Sequence, residues 1–177
     1  MLQSIEEPNP VKIGFSTPFY WASSIAYELG DTRLFTGSGA DELFGGYWKY
    51  LEKHLHGCDP TEEMNRDLIE APERSYHPIF KTCLCHGVVP LSPFTHPRVV
   101  ELGLRMPLEQ KIGGSVEEPR KRALRELAIE LGFPPELAHR KKKAAQYSTN
   151  IQKELTKIAK KEGKTLLELL KERFRTV

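Results

Sequence analysis

The sequence predicts an α/β fold that is mostly helical in this chain and has one recognisable core strand. The segment from Thr32 to Thr36 is short, apolar at its centre and prone to form a strand, and it follows a helix pattern that ends at Gly30. Gly37, Ser38 and Gly39 come directly after it and lead into the next helix. In open parallel sheets, ligands bind at the carboxyl ends of the strands, where glycines let backbone N–H groups approach oxyanions. The loop is therefore a candidate ligand site.

Prolines, glycines and capping residues predict the helices. The first is predicted from Pro18 to Leu29, capped by Thr17. Residues 77–97 are rich in proline and are predicted to be loop or broken helix. The other helices are predicted over 43–55, from 61 to a break near 72, and over 97–105, 119–131, 151–158 and 166–174. One strand among so many helices makes a poor sheet, which indicates that further strands come from elsewhere.

Composition predicts a globular cytoplasmic protein. Of its 177 residues, 39% are hydrophobic and 28% are charged. The apolar runs fall far short of the ~18 residues that cross a bilayer, so no membrane partner is expected. The 3 cysteines, an odd number, argue against a disulfide framework.

Charge is uneven along the chain. Residues 1–135 carry 14 Lys/Arg against 19 Asp/Glu, whereas residues 136–177 carry 12 against 5. A basic tail is compatible with nucleic-acid binding. No aromatic residues interleave with the basic ones as in single-strand binders, however, so a solvated helix face is favoured over a nucleic-acid partner.

Two carboxylates, Asp41 and Glu42, stand where the helix after the glycine loop begins. Acidic residues at this position are favoured by the helix dipole whether or not they do chemistry. Alternatively, a loop that offers N–H groups to phosphate and is followed by a carboxylate can hold a triphosphate through Mg²⁺. Spacing alone leaves both interpretations open. No Gly-Lys-Ser/Thr sequence follows, so the loop is not of the Walker A type.

The longer string from Gly37 to Tyr47, Gly-Ser-Gly-Ala-Asp-Glu-Leu-Phe-Gly-Gly-Tyr, resembles the second signature of the asparagine synthetase family. Three further segments resemble that family in the right order: Ser-Thr-Pro at 16–18, Lys-Arg-Ala-Leu-Arg-Glu at 121–126, and Arg-Lys-Lys-Lys-Ala-Ala-Gln-Tyr at 140–147. The similarity is greatest to short archaeal members that have no glutaminase domain.

The resemblance implies that residues 1–177 are the C-terminal part of an asparagine synthetase-like domain, with a core at 5–150 and a basic, amphipathic helical tail at 150–177. It implies a domain of the adenine nucleotide alpha hydrolase-like, or ATP pyrophosphatase, type. It also implies a ligase that adenylates aspartate or a similar carboxylate with ATP and Mg²⁺, after which ammonia displaces AMP.

The resemblance also assigns roles to residues. It places Asp41 on Mg²⁺ and pyrophosphate, and Lys121 beside the transferred α-phosphate as the catalytic residue. A lysine in a charged run is otherwise a solvated surface residue. The remaining predicted nucleotide-binding residues are Gly37, Ser38, Gly39, Arg140 and Lys142.

The first signature of the family, Ser-Gly-Gly-x-Asp-Ser, is absent from the sequence. We therefore expect a partner chain or N-terminal half that carries this pyrophosphate loop, and we expect the chain alone to be inactive.

Two departures leave other functions open. Ser38 stands where many glutamine-dependent members have Glu, and the family's His-Gly-x-Glu-x-Arg-x-Pro-Phe-x-Asp segment has Val89, Leu91 and His96 in place of its polar residues. The chain could instead be a degenerate, non-enzymatic interaction module, or a tRNA-associated ATP pyrophosphatase-like protein.

Overall fold

The computed structural model describes residues 1–116, 120–141 and 148–176. These residues form two compact units. The first unit contains Met1–Phe35, Glu73–Leu91 and the described residues after 147; the second contains Thr36–Pro72 and the described residues between 92 and 141.

The described residues are mostly helical, as predicted. In chain order the elements are α1 (Leu2–Ile5), α2 (Pro10–Glu28), β1 (Arg33–Phe35), α3 (Ala40–Leu43), α4 (Trp48–Leu55), α5 (Thr61–Ala71), a π-helical turn (Pro72–Tyr76), α6 (His77–Leu84), β2 (Val89–Leu91), a 3₁₀ turn (Pro93–Thr95), α7 (Pro97–Arg105), α8 (Leu108–Lys111), α9 (Arg122–Glu130), α10 (Pro135–Ala138), α11 (Ile151–Lys161) and α12 (Leu166–Arg175).

Helix α2 begins eight residues earlier than the sequence predicted. Its cap is Asn9, whose side chain accepts hydrogen bonds from the backbone N–H groups of Val11 (3.0 Å) and Lys12 (3.2 Å). Pro18 lies inside the helix, and the hydroxyl of Thr17 donates to the carbonyl of Ile13 at 2.7 Å. The prediction was wrong because a good N-terminal signal, Thr17 before Pro18, was preceded by an equally good one, Asn9 before Pro10.

The structure contains a second strand, β2, that the sequence did not predict. It pairs in parallel with β1, with Arg33 opposite Val89 and Phe35 opposite Leu91. Pro90 lies in the middle of this strand, and proline lacks the N–H that a ladder needs, so the local signal was against a strand. The segment 77–97 is also more helical than predicted, because α6 occupies its first eight residues.

Each unit has its own apolar cluster. In the first unit, Ile5 and Ile13 pack with Leu170 of α12. In the second, Tyr50, Leu51, Met64 and Ile112 are nearly or fully buried together. Helix α7 has the predicted bounds, and α11 and α12 are two separate helices, as predicted, with Gly163 in the turn between them. Within the described residues, no helix combines the length and apolar character that a membrane span requires.

Candidate functional site

The glycine loop after β1 is held by hydroxyl groups and by close packing. The hydroxyls of Thr36 and Ser92 are 2.8 Å apart, and Thr36 also donates to the hydroxyl of Ser38 at 3.2 Å. Gly39 has a φ of 93°, and a side chain there would lie 3.3 Å from the backbone of Phe94. A side chain at Gly37 would meet no atom within 4 Å. The loop is therefore braced at Gly39 and open at Gly37, where a ligand can approach the backbone.

The structure brings together the two residues to which the resemblance gives central roles. The Nζ atom of Lys121 lies 2.9 Å from Oδ1 of Asp41, although the two residues are eighty positions apart in the sequence. Each side chain is 23% exposed, so the pair is accessible from solvent but largely enclosed.

Gly46 makes room for this ion pair. A Cβ atom at Gly46 would lie 1.8 Å from Oδ1 of Asp41 and 2.5 Å from Cε of Lys121, distances at which atoms cannot coexist. The neighbouring Gly45 has a φ of 70° and would place a Cβ 2.4 Å from the side chain of Ile112. The Gly-Gly pair therefore lets the backbone at residues 45–46 pass between the Asp41–Lys121 ion pair and the side chain of Ile112.

Two arginines hold the backbone beside Lys121. Arg120 donates from Nη1 to the carbonyl of Gly46 at 2.9 Å, and its guanidinium lies 5.8 Å from the ring centre of Trp48. Arg125 donates from Nε to the carbonyl of Arg120 at 2.7 Å. Burial, with a smaller contribution from the charge of Arg120, lowers the pKa of Arg125. Lys121 is thus held by hydrogen bonds on its N-terminal side.

Lys121 has a strained backbone. Its φ of 60° and ψ of 42° lie in the left-handed region, and it precedes the first residue of α9. Non-glycine residues in this region cost on the order of 1 kcal/mol and often occur at functional sites, where surrounding contacts hold them. Here those contacts are the hydrogen bonds of Arg120 and Arg125 and the ion pair to Asp41.

Glu42 is buried, and its carboxylate is less accessible to a ligand than that of Asp41. The hydroxyl of Tyr47 donates to Oε1 of Glu42 at 2.8 Å. Burial is the main reason that the pKa of Glu42 is raised. Since charging a buried carboxyl is unfavourable, Asp41 is the better candidate for a cation or a phosphate-bound metal.

The described residues do not include a group of three or more His, Cys, Asp or Glu side chains that could hold a metal ion. Mg²⁺, however, is commonly bound by one or two carboxylates together with substrate phosphates and water. Asp41, next to an open glycine loop, fits that second arrangement. A metal ion would therefore be held here only together with phosphate oxygens.

The later basic motif is only partly described. The side chain of Arg140 is exposed and makes no described contact with Asp41 or Lys121; its carbonyl accepts from Nη1 of Arg125 at 3.1 Å. Lys142 lies outside the described residues. Phosphate binding by these two residues stays a prediction.

Residues 86–96, the segment that departs from the family pattern, include positions that keep the family residue and positions that replace it. The retained residues have structural contacts: His86 Nδ1 lies 2.9 Å from the hydroxyl of Ser23, and Phe94 packs edge-on against Phe44. Of the replaced positions, Val89 and Leu91 lie on β2, and no acidic or basic side chain takes their place on that strand.

His96 caps α7, because its Nδ1 accepts the N–H of Arg98 at 3.3 Å. Asp is also a favoured cap, so this replacement preserves a local structural role.

Three residues of the site were not singled out from the sequence: Gly46, Arg120 and Arg125. The Gly-Gly pair inside the motif was a usable signal, since two adjacent glycines before a helix indicate a close approach of other atoms. Arg125 lies in the 121–126 segment that resembles the family, although no site role was predicted for it. No comparable signal marks Arg120, because charged residues near a helix start are common on surfaces.

Comparison with known proteins identifies the relatives of the chain. The asparagine synthase family model matches residues 1–81 and 80–174. A candidate glutamine-hydrolysing asparagine synthetase 1 of Methanocaldococcus jannaschii is 30% identical over 91% of this chain and 35% of its own length. An asparagine synthetase domain-containing protein of Saccharomyces cerevisiae is 30% identical over 80% of the chain and 25% of its own length.

Glutamine-hydrolysing asparagine synthetase B of Escherichia coli is 28% identical over 85% of the chain and 26% of its own length. The chain thus spans about a third or less of these relatives. The matches cover nearly all of its residues, and the chain belongs to the asparagine synthase family.

Proposed function

We propose that the chain is the C-terminal part of an ATP-dependent, amide-forming ligase that acts in the cytoplasm. The whole domain, of the ATP pyrophosphatase or adenine nucleotide alpha hydrolase type, would adenylate aspartate or a similar carboxylate. Attack by ammonia would then give asparagine, AMP and pyrophosphate. The relatives named as asparagine synthetases support this class of reaction.

The ion pair between Asp41 and Lys121 is the observation that carries the proposal. A partly exposed ion pair of this kind contributes little to stability, about 0–1 kcal/mol. Stability is therefore a weak reason for a strained lysine and for a glycine with no room for a methyl group. A preorganised ammonium next to a phosphate site has a clear chemical use. In the proposed reaction Lys121 stabilises the charge that develops as pyrophosphate leaves the α-phosphate.

Asp41 would have a second role in this reaction. When ATP binds, its carboxylate would hold Mg²⁺ together with the phosphates, and the metal would neutralise phosphate charge. Gly37, Ser38 and Gly39 would line the nucleotide, and Arg140 and Lys142 would contact phosphate oxygens. In this account Asp41 acts in both ground and transition states, whereas Lys121 acts mainly in the transition state.

The chain alone is expected to be inactive. The Ser-Gly-Gly-x-Asp-Ser loop is absent from the sequence, so only part of the phosphate cradle is available. We expect ATP to bind weakly or not at all to the isolated chain. Isothermal titration with ATP and Mg²⁺ tests this; saturable micromolar binding that is abolished by Asp41→Asn would contradict it.

Catalysis is tested in a complex with a polypeptide that carries the first signature. We measure aspartate-dependent pyrophosphate release for Lys121→Ala, Asp41→Ala and the matched control Lys157→Ala, which removes an exposed helical ion pair. Lys121→Ala should lower turnover on the order of 10²-fold with nearly unchanged ATP affinity. Asp41→Ala should weaken Mg²⁺-dependent ATP binding. If Lys121→Ala behaves like the control, the catalytic role is wrong.

The replacement of polar strand residues by Val89 and Leu91 favours a second candidate, a non-enzymatic interaction module. That function requires no nucleotide. A complex that forms normally but shows neither ATP binding nor pyrophosphate release would favour it over the ligase.

A further inference from the structure

The ion pair between Asp41 and Lys121 joins two residues to which the proposed reaction gives ligands of opposite charge. Asp41 would hold Mg²⁺ and Lys121 would face phosphate oxygens, yet here Nζ of Lys121 lies 2.9 Å from Oδ1 of Asp41. The ammonium and this carboxylate oxygen cannot contact each other and their ligands through the same positions. The pair therefore has to open when a ligand binds.

The contact is enclosed on the side of the carboxylate. Oδ1 of Asp41 is shielded from solvent. The backbone of Gly46 lies so near that a Cβ atom there would be 1.8 Å from Oδ1, and Nζ of Lys121 lies 2.9 Å from the same oxygen. A cation that coordinates Oδ1 must therefore take the place of the ammonium group.

Lys121 can release Asp41 without a change in the surrounding backbone. The hydrogen bonds of Arg120 and Arg125 hold the backbone on its N-terminal side. Its side chain, in contrast, is a flexible four-carbon stem that carries a compact charge. The side chain is also 23% exposed, so it is open to solvent on one side. The ammonium can therefore exchange one oxygen partner for another by rotation of the side chain alone.

Charge determines which ligand can open the pair. A divalent cation alone would displace the ammonium but leave it close by, and like charges at such distances repel each other. A polyphosphate alone would attract Lys121 but would be repelled by the carboxylate of Asp41. A polyphosphate that carries a metal ion brings both charges, so each member of the pair gains a partner of opposite sign.

We propose that the Asp41–Lys121 ion pair is a gate that admits a metal ion and a polyphosphate together and disfavours each of them alone. The inference rests on the proposed function, because it concerns how the same site takes its ligands. On binding, Lys121 exchanges Asp41 for a phosphate oxygen, and Asp41 exchanges Lys121 for the metal ion.

The size of the effect follows from the distance between the charges. An opposite charge within about 4–6 Å changes the affinity of a carboxylate for a proton by about tenfold to a thousandfold. The pair is partly exposed, so the lower end of this range applies. Loss of the Lys121 charge should therefore strengthen the binding of a divalent cation to Asp41 by about tenfold. For ATP with Mg²⁺, loss of the phosphate contact opposes this gain, in agreement with the nearly unchanged affinity expected for Lys121→Ala.

The first test follows Mn²⁺ binding to the full chain without nucleotide. Mn²⁺ takes the same oxygen ligands as Mg²⁺ and broadens the NMR signals of nearby amides, so residues 37–46 report on metal at Asp41. Lys121→Met should bind Mn²⁺ there about tenfold more tightly than the wild type, whereas Lys121→Arg keeps the charge and should resemble the wild type. Lys53→Met is the matched control, because it removes a lysine that pairs with Glu63 in the same unit.

The second test uses pyrophosphate with a chelator that removes metal ions. Asp41→Asn should bind metal-free pyrophosphate about tenfold more tightly than the wild type, because no carboxylate then competes for Lys121. Glu63→Gln, which removes a carboxylate elsewhere in the same unit, is the control. Isothermal titration measures the affinities, and circular dichroism checks that each variant is folded.

Three results would overturn the inference: equal Mn²⁺ binding by the wild type and Lys121→Met, an equal gain in Lys53→Met, or weaker binding of metal-free pyrophosphate by Asp41→Asn. Failure of the proposed function gives a different result, in which both binding effects occur but the complete complex releases no pyrophosphate. Conversely, loss of turnover in Lys121→Ala without a change of Mn²⁺ affinity in Lys121→Met would leave the ligase proposal intact and remove the gate.

Discussion

Replacement of Gly46 by alanine should disrupt the candidate site while leaving the fold intact. The added methyl group would lie 1.8 Å from Oδ1 of Asp41, so that oxygen must move by more than 1 Å to reach an ordinary contact. The second clash, with Cε of Lys121, involves the end of a flexible side chain. Both side chains can rotate away, and the 2.9 Å contact between Nζ of Lys121 and Oδ1 of Asp41 is then lost.

The free-energy change can be estimated from its parts. Loss of a partly exposed ion pair costs about 0.5–1 kcal/mol, and a displaced rotamer costs about 0.5–1.5 kcal/mol. Alanine in place of glycine returns about 0.4–1 kcal/mol by restricting the unfolded chain. We therefore expect Gly46→Ala to lower the free energy of unfolding by about 1 kcal/mol. Displacement of reacting groups by ~1 Å can cost about 10²-fold in rate, so activity of the complete enzyme should fall far more than stability.

Urea unfolding of the wild type, Gly46→Ala, Asp41→Ala and the double variant tests the cause. With Asp41 shortened, the worst clash disappears, so Gly46→Ala should then cost little and the two changes should couple by about 1 kcal/mol. Gly114→Ala is the control, because a methyl group there meets nothing within 4 Å. Strict additivity, or unchanged turnover in Gly46→Ala, would refute the reasoning.

Three further predictions concern stability. Tyr50→Phe removes a buried hydrogen bond of 2.5 Å to Asp67 and should lower the free energy of unfolding by about 1–3 kcal/mol in urea. Burial raises the pKa of Cys83 from 9.0 to about 11, so between these values the folded state keeps a proton that the unfolded state loses. The contribution of the Cys83 thiol to the free energy of unfolding should therefore fall as the pH rises from 9 to 11. Denaturation of the wild type and of Cys83→Ala across this pH range measures it. Because the backbone of Lys121 lies in the left-handed region, the Lys121→Gly variant should be more stable than the Lys121→Ala variant by about 1 kcal/mol. The same comparison at Glu126, inside α9, should have the opposite sign; equal signs at both positions would show that backbone strain at Lys121 is unimportant.

Local sequence signals predicted where the helices lie, but they did not predict the contacts between distant segments. Pro97 marked the start of α7, and Gly163 separated α11 from α12. The strand β2 was missed because its pairing with β1 outweighs the missing N–H of Pro90, and that pairing is not visible in the local sequence.

The candidate site shows the same limit. The resemblance named Asp41 and Lys121 separately, but their contact depends on how a long intervening segment folds. The need for glycine at position 46 is visible only once that contact is known, because a side chain there would clash with Asp41 and Lys121, which are remote from each other in the sequence.

The order in which the chain is synthesised has a consequence for the first unit. Ile5 and Ile13 share their apolar cluster with Leu170, so this cluster cannot close until α12 has left the ribosome. The cluster of the second unit needs nothing beyond Ile112 and can form first. At about 5–20 residues per second, the interval between these events is several seconds. During that time the N-terminal helices have no native C-terminal partner, and chaperones or a companion half-domain could bind them before the chain is finished.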